Sequence, residues 1–400
     1  MDLWFNRQYL IIDEVSMMDA KLLSTLHTQL AKIKSDPDSD FGGVNILFAG
    51  DFLQLPTVSH QDVYLSDHTD KDVREAHLHW RKLNAVVVLK QQMRQAKDQR
   101  LANLLSRVHR RCPTGEDLAL LCSRVGAPLP SSVLSPLAIV RRNKLRHAIN
   151  SERLQQMAAL NGDEIVYCTA KVLEKAKDMK NSSLNAIYSI RQSSKPRHED
   201  AVLALIPGAP LLITQNIDSS LGLVNGALVE FYGFVGDKKS AGDDRIFDPP
   251  QYMLVQFRDG PASELRLPGL PQGVVPMAPI EFTYREGGRR TNRQGRWVKL
   301  SQFAATLAYA ITDYKAQGST YTKPILVDLK KPDKGGSSHA SAYVQLSRAM
   351  TLDHIFIMRP FNGEDLRAPL KPELQLELDW EEEMAAFTKE KYTVFGALKE

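Results

Sequence analysis

The sequence predicts an α/β protein built on parallel sheets, with a β-rich region set into its later half. Three observations carry this prediction. Tyr9-Leu10-Ile11-Ile12 and Val44–Phe48 are short apolar runs joined by an amphipathic stretch, as a βαβ crossover requires. Leu137–Val140 followed by Lys144–Met157 begins a second such unit. From residue 218 to about Pro279, turns rich in Gly, Pro and Asn-Gly separate short alternating strands, the pattern of a small barrel or sandwich.

The totals bound the rest. Four hundred residues, 43% hydrophobic and 24% charged, describe a globular chain of two or three domains with ample core. A net charge of +4 means that nucleic-acid contacts must come from local basic clusters. Cys112, Cys122 and Cys168 lie far apart with no C-x-x-C, which argues against zinc and disulfides and for a reducing compartment. No apolar run approaches the ~18 residues of a membrane span, so no membrane partner is expected. Met1-Asp2-Leu3-Trp4 has no basic n-region and no small-residue cleavage site. The chain enters a core strand almost at once, so further sequence upstream of Met1 is expected.

Tyr9–Ile12 reads as a strand buried on both faces of a parallel sheet, and Asp13-Glu14 follow at its carboxyl end. Ligands of open α/β sheets sit at that edge. An Asp there can hold Mg²⁺, usually through water, because Mg²⁺ prefers one or two carboxylates plus phosphate oxygens. A Glu beside it can orient and deprotonate an attacking water. Helix capping stands beside this reading: Ser16 and Asp19 form an S-x-x-D box that leaves Asp13 and Glu14 free. Asp19–Lys34 is then a helix with Leu22, Leu23, Leu26, Leu30 and Ile33 on one stripe. Parallel pairing of Val44–Phe48 brings Asp51 to the same sheet edge, with Gln54 projecting past it; an ordinary turn is the alternative for this stretch.

Ala85–Leu89 reads as a third strand leading to Gln91-Gln92-Met93-Arg94-Gln95. Arg94 there can reach a phosphate or sit in a surface ion pair. Asp98–Arg111 is helical with a basic tail, a short helix runs to Arg124, and Pro128–Pro136 looks like a linker. Asn143 is a candidate cap for Lys144–Met157, Asp163–Leu173 a strand, and Glu174–Asp200 a polar insertion. Pro210–Ile217 is a buried strand, Asn225-Gly226 a hairpin signal, and Ala227–Phe234 and Tyr252–Phe257 further strands. Arg285, Arg289, Arg290, Arg293 and Arg296 around Tyr284 and Trp297 suit a phosphate backbone with a stacked base, or a solvated hairpin. Gln302–Thr320 ends in Gln317-Gly318-Ser319-Thr320, where backbone and hydroxyls can meet phosphate oxygens; a helix with a Gly cap is the alternative. Pro324–Leu329 and Ile355–Met358 read as strands, His339–Met350 as a helix carrying Ser347-Arg348, and Trp380–Tyr392 as a terminal helix.

Seven ordered blocks resemble the Pif-like helicases, the petite-integration-frequency family of ATP-dependent DNA helicases, related to RecD within helicase superfamily one. They are IIDEVSM at 11–17, GDFLQLP at 50–56, QQMRQ at 91–95, GAPLLITQNI at 208–217, GLVNGALV at 222–229, AYAITDYKAQGST at 308–320 and AYVQLSRA at 342–349. The resemblance implies two RecA-like domains, the first incomplete, with a small SH3-like insertion in the second. By resemblance, 1–125 is part of the first motor domain, 126–217 with 300–372 the second, 218–299 the insertion and 373–400 a helical tail. ATP with Mg²⁺ would sit between the motor domains.

The same resemblance implies roles. Asp13 matches the Mg²⁺-binding acid and Glu14 the water-activating base. Asp51 and Gln54 match the block that senses the γ-phosphate, and Arg94 and Arg348 the two arginines that stabilise the transferring phosphate, worth ~10³–10⁵ in rate in tested NTPases. Gln317 and Gly318 match the block coupling ATP to the DNA backbone. Thr312, Lys315 and Thr320 match DNA-phosphate contacts, to which the basic run adds Arg289 and Arg290. The activity implied is 5′-to-3′ unwinding in repair, recombination or telomere maintenance. Its partners would be single-stranded and forked DNA, and its place the nucleus, with the mitochondrion as the alternative.

Three departures qualify the match. The family's His-Lys-Ser-Gln-Gly is here Tyr314-Lys315-Ala316-Gln317-Gly318, which loses a hydroxyl at Ala316. Its double Pro is Pro56-Thr57. No G-x-x-x-x-G-K-[ST] occurs in the 400 residues, and in such loops backbone N–H groups and Lys hold the phosphates. Two further readings follow: a non-catalytic DNA- or partner-binding remnant of a mobile-element helicase, and a viral-type RNA helicase of the same superfamily.

Overall fold

A computed structural model describes residues 2–66, 69–130, 135–173, 201–237, 245–285, 297–331 and 338–394. The chain forms two compact units, Met1–Leu129 with Gln317–Glu400, and Pro130–Ala316. The boundary falls inside the Pro- and Ser-rich stretch 128–136.

In the first unit a short helix α1 (Asp2–Phe5) precedes β1 (Tyr9–Ile12). The crossover helix α2 (Ala20–Lys34) leads to β2 (Asn45–Phe48), which pairs parallel with β1, Tyr9 opposite Asn45 and Ile12 opposite Phe48. The βαβ unit is therefore as the periodicity predicts. The helix starts differently. Asp19 alone caps it, accepting from the Lys21 N–H, and Ser16 is buried in the preceding turn instead of forming a capping box. The sheet also departs from expectation. Leu10, Ile12, Ile46 and Phe48 pack onto a core with Leu23, Leu30, Phe52 and Trp80. Tyr9, Ile11 and Leu47 on the opposite face are 73%, 69% and 54% exposed. Helices cover one face of a sheet that, among the described residues, has two strands.

The expected strand at Ala85–Leu89 pairs with nothing among the described residues. Its Val86 N–H donates to the Thr388 hydroxyl at 2.9 Å, while Val87 and Leu89 face solvent. A β-branched run favours a pleated surface but does not itself supply a neighbour. Helix α3 (Lys71–Trp80), capped by Asp70, has no counterpart in the sequence reading. Asp98 caps α4 (Gln99–His109) through the Leu101 N–H. Thr114 and Asp117 close a capping box on α5 (Gly115–Cys122).

In the second unit β3 (Leu137–Val140) runs into α6 (Asn143–Asn161). Arg142 occupies the cap position without a capping side-chain hydrogen bond, so Asn143 lies inside the helix rather than capping it. The expected strand at 163–173 is two strands, β4 (Val166–Thr169) and β5 (Lys171–Val172). β6 (Val202–Leu205), β7 (Pro210–Ile213), β8 (Leu228–Val235), β9 (Ile246–Phe247), β10 (Tyr252–Gln256) and β11 (Val274–Met277) follow. Next come β12 (Ile280–Arg285), β13 (Trp297–Gln302), β14 (Ala305–Leu307) and β15 (Ala310–Thr312), and then the short helix α7 (Asp313–Ala316). The stretch from Gln302 is thus strand, not helix, until Asp313.

One five-stranded sheet has the order β11-β10-β8-β7-β14, so strands from both ends of the β-rich stretch share it with β7 and β14. Its inner face packs Leu211, Ile213, Phe231, Met253, Val255, Val275 and Phe303 into one core. β15 pairs parallel with β3, Thr312 opposite Val140. The buried amide of Asn150 on α6 fixes that pair by bonding the Leu307 and Ala310 carbonyls and the Ala310 N–H.

The first unit resumes with β16 (Ile325–Val327), α8 (Ser338–Ser347), β17 (Ile355–Ile357) parallel to β16, and α9 (Pro372–Val394). Glu377 on α9 is fully buried. It accepts from Trp80 Nε1 at 2.7 Å and from the Arg81 guanidinium at 2.6 Å, while that guanidinium lies over the Trp380 ring. A carboxylate so placed holds the terminal helix only while both donors are present; losing one partner of a buried pair costs about 3 kcal/mol.

Candidate functional site

Within the first unit the ends of β1 and β2 are joined by the Val15 N–H, which donates to the Ala49 carbonyl at 2.9 Å. At that crossing a Cβ on Gly50 would stand 2.7 Å from the Val15 nitrogen, so the close approach demands glycine. Asp13, Glu14 and Asp51 consequently occupy one sheet edge. Glu14 adopts a left-handed backbone, φ 56° and ψ 47°, and its N–H donates to Asp13 Oδ1 at 2.8 Å. That conformation costs a non-glycine residue about 1–2 kcal/mol.

The Gln317–Thr320 loop reaches the same edge. Gln317 Nε2 donates to Glu14 Oε2 at 2.6 Å and to Ser16 Oγ at 3.3 Å. Gly318 has φ 78°, and a Cβ there would lie 3.3 Å from Glu14 Oε1. The Ser319 carbonyl accepts from Arg348 at 3.2 Å, and the Thr320 hydroxyl accepts from Arg94 Nε at 2.7 Å. Four residues of loop therefore meet Glu14 and Arg94, hundreds of positions away in the chain, and Arg348, 29 positions on. Thr320, expected at DNA phosphate, accepts from Arg94 through its hydroxyl and keeps the O–H to donate.

Arg348 is 2% exposed and bonds neutral acceptors, the Val344 and Ser319 carbonyls and the Ser347 hydroxyl. Among the described residues neither it nor Arg94 pairs with a carboxylate within 4.0 Å. Burial, and after it the neighbouring Arg94, pulls the Arg348 pKa down to about 10. Burial lowers Arg94 as well. Two cations kept near each other, with Glu14 close enough to act on both but not paired to either, make a place where further negative charge would be stabilised. Arg94 NH1 and the buried Gln95 amide also bind the Ser347 carbonyl, and Gln95 takes the Ala349 carbonyl too.

Asp51 is held by a neighbour the sequence reading treated only as part of a basic tail. His109 Nε2 lies 2.9 Å from Asp51 Oδ2, and the His109 ring packs against Tyr343 with centroids 4.8 Å apart. Burial works against the Asp51 charge, but hydrogen bonds from His109, the Leu53 N–H and Gln54 outweigh it and hold the carboxyl below its ordinary value. Burial, and then the Asp51 charge, pushes the Tyr343 hydroxyl up to about 12. Neither spacing nor periodicity links His109 to Asp51; only the tertiary fold does. The side-chain carbonyls of Gln54 and Gln317 are buried without a partner among the described residues. Such orphaned acceptors are uncommon in finished interiors and suit a site that receives a polar ligand.

His27, Asp40 and His79 place ligand atoms within 4.8 Å of one another, the one such group among the described residues. The Phe41 N–H, however, occupies the lone pair of His27 Nδ1, and Lys82 holds both Asp40 oxygens at 2.9 Å. His27 Nδ1 and both Asp40 oxygens are already engaged, and with His79 3.0 Å from Asp40 the group acts as a polar staple between α2 and α3.

In the second unit Thr312 ends β15 and Lys315 lies on α7, where its ammonium donates to Asn225 Oδ1 at 2.9 Å. Ala316 is fully buried, so its methyl fills core space where the resemblance led to the expectation of a hydroxyl. Arg289 and Arg290, with Arg293 and Arg296, lie outside the described residues.

Comparison with known proteins agrees with these blocks. The PIF1-like helicase family profile matches residues 1–108. "ATP-dependent DNA helicase PIF7" of Trypanosoma brucei brucei is 26% identical over 386 residues, covering 88% of this chain and 36% of the relative. "ATP-dependent DNA helicase Pif1" of Psychrobacter sp. is 25% identical over 382 residues, covering 87% and 53%. The chain thus spans about half or less of the length of these curated relatives. The crystal structure of Candida albicans Pif1 helicase superposes with a TM-score of 0.68 at 23% identity, covering 95% of this chain and 78% of that one. Bacteroides Pif1 bound to ssDNA gives 0.68 at 22%, covering 96% and 77%. The fold is therefore the RecA-like α/β fold of the Pif1 helicases. The chain's first 108 residues are thus similar to the PIF1-like helicases.

Proposed function

We propose that the chain carries part of an ATP-driven, 5′-to-3′ DNA motor that moves on single-stranded DNA and unwinds duplex, in repair, recombination or telomere maintenance. One observation carries the reading. A single loop, Gln317–Thr320, hydrogen-bonds the acid Glu14 and the arginines Arg94 and Arg348. A γ-phosphate arriving there would meet all three groups.

In this reading the Glu14 carboxylate takes a proton from the attacking water, with Gln317 holding it in place. Arg94 and Arg348 stabilise charge on the transferring phosphate, and Asp51 with Gln54 senses its presence. Asp13, an exposed oxygen donor at the strand end, fits a hard cation. It would hold Mg²⁺, which neutralises phosphate charge when bound. Thr312, Lys315 and Thr320, with Arg289 and Arg290, grip the DNA backbone. Nuclear residence accords with this role, and the mitochondrion offers DNA of the same kind.

The 400 residues contain no G-x-x-x-x-G-K-[ST], so by themselves they should turn ATP over slowly. That sequence fact also favours a second reading, a DNA-binding remnant without catalysis. Purified chain, assayed for single-strand binding and DNA-stimulated ATP hydrolysis, tests both. The motor reading expects salt-dependent binding and weak hydrolysis that rises when a segment bearing the phosphate loop is fused ahead of Met1. Binding with no gain from the loop would leave the remnant reading, and failure to bind DNA would remove both. Helicase-scale turnover by the chain alone, abolished in Glu14→Gln, would overturn the dependence on that loop.

A further inference from the structure

We propose that Asn225 is the positioning residue for Lys315 on the DNA backbone. The inference rests on the DNA-binding reading above and adds to it the group that aims the lysine. A lysine ammonium is a point charge on a flexible stem, and ordering it costs up to about 2 kcal/mol of side-chain entropy. Contacts made by a pre-ordered group avoid that cost on binding.

The order comes from a chain of hydrogen bonds inside the second unit. β7 ends at Ile213 and β8 starts at Leu228, and the connection between them carries Asn216 and Asn225. Asn216 Oδ1 accepts from the Asn225 N–H at 2.8 Å. Gly226, with φ 93°, turns the backbone so that its own N–H meets the Ile213 carbonyl at 2.8 Å. The Ala227 N–H closes the turn on the Val224 carbonyl at 3.0 Å. Asn225 is thereby fixed to the end of β7, exposed to solvent, with its side-chain carbonyl on Lys315 at 2.9 Å. An ammonium has three N–H donors, and this acceptor is neutral, so this particular bond directs the lysine and takes nothing from its charge. An acid in the same place would hold the lysine equally well and would repel a phosphate.

The alternative is that Asn225 and Lys315 merely staple the turn to α7. Titration of fluorescent oligo-dT with the 400-residue chain at several salt concentrations separates the two. Lys315→Ala should weaken binding several-fold and make the salt slope shallower by about 0.7, one single-strand phosphate contact. Asn225→Ala should weaken it about 3–10-fold with the same loss of slope, and should add nothing once Lys315→Ala is present. Asn225→Asp should bind more weakly than Asn225→Ala while melting at the wild-type temperature or above. Additive effects, or an Asn225→Ala variant that keeps the wild-type slope, overturn the proposal. A wild-type chain with no oligonucleotide binding would instead overturn the DNA reading beneath it. A variant that melts well below wild type is replaced by Asn216→Ala, which loosens Asn225 from behind and should reproduce the lost slope; an unchanged slope there counts against the proposal.

Discussion

The amide of Gln317 donates to the carboxylate of Glu14 across 2.6 Å, although 303 positions separate them in the chain. The bond joins the strand-end acid to the loop that also receives Arg94 and Arg348. A hydrogen bond to an ionised group is worth roughly twice a neutral one, and this one fixes which way the acid faces.

Gln317→Glu should therefore be worse than Gln317→Ala. Two carboxylates at this distance repel, and the variant should lose about 1–2 kcal/mol of stability at neutral pH, against about 1 kcal/mol for alanine. Acidification through the carboxylate range should restore most of the glutamate variant's loss and reduce the alanine variant's smaller one, because the wild-type bond weakens once the acid is neutral. Chemical denaturation at pH 7 and pH 4 reads both, and equal losses at the two pH values would contradict the contact.

His109→Phe keeps a ring against Tyr343 and removes the bond to Asp51. Burial then acts on Asp51 with one fewer opposing hydrogen bond, so its carboxyl pKa should rise. Carbon-detected NMR of the carboxyl group gives the value directly. An Asp51 titration identical to wild type would show that the histidine does not set its ionisation.

Glu381, on α9, has its pKa raised to about 7 by burial, then by Glu377 and Asp51, with Arg81 opposing. A folded value above the unfolded one means that the folded chain binds more protons between about pH 4.5 and 7, so stability falls as pH rises through that window and levels off above it. Glu381→Gln removes the penalty. It should raise the melting temperature at pH 8, by up to about 3 kcal/mol in stability, and leave it unchanged at pH 4. A melting difference independent of pH would mean that Glu381 ionises normally.

The sequence was informative wherever a local rule acts. Apolar period and chain reversal predict the β1-α2-β2 unit and its parallel sense, because a 3.6-residue stripe between two short apolar runs has few other solutions. It failed where the deciding contact is distant. Ala85–Leu89 has the composition of a strand, yet pairing depends on a neighbour that composition does not name. The pairing of Asp51 with His109 has no local trace, and neither does the burial of Glu377 beneath Trp80 and Arg81. Ser16 misled for a related reason: the S-x-x-D spacing is right, but the chain turns once more before α2 begins, and Asp19 takes the cap. Family blocks pointed to Glu14, Arg94, Arg348 and Gln317 together, and these are the residues the loop connects. They contained Asn225 and Gln95 without giving either a role, and His109 lies outside them.

Glu14 holds its carboxylate on a backbone twisted the wrong way for its side chain. Glycine would relieve that twist but forfeit the bond to Gln317, so Glu14→Gly should leave the melting temperature close to wild type while emptying the sheet edge. The twist and the bond are thus set against each other at one residue, and the acid is held out at the edge at almost no net gain in endurance.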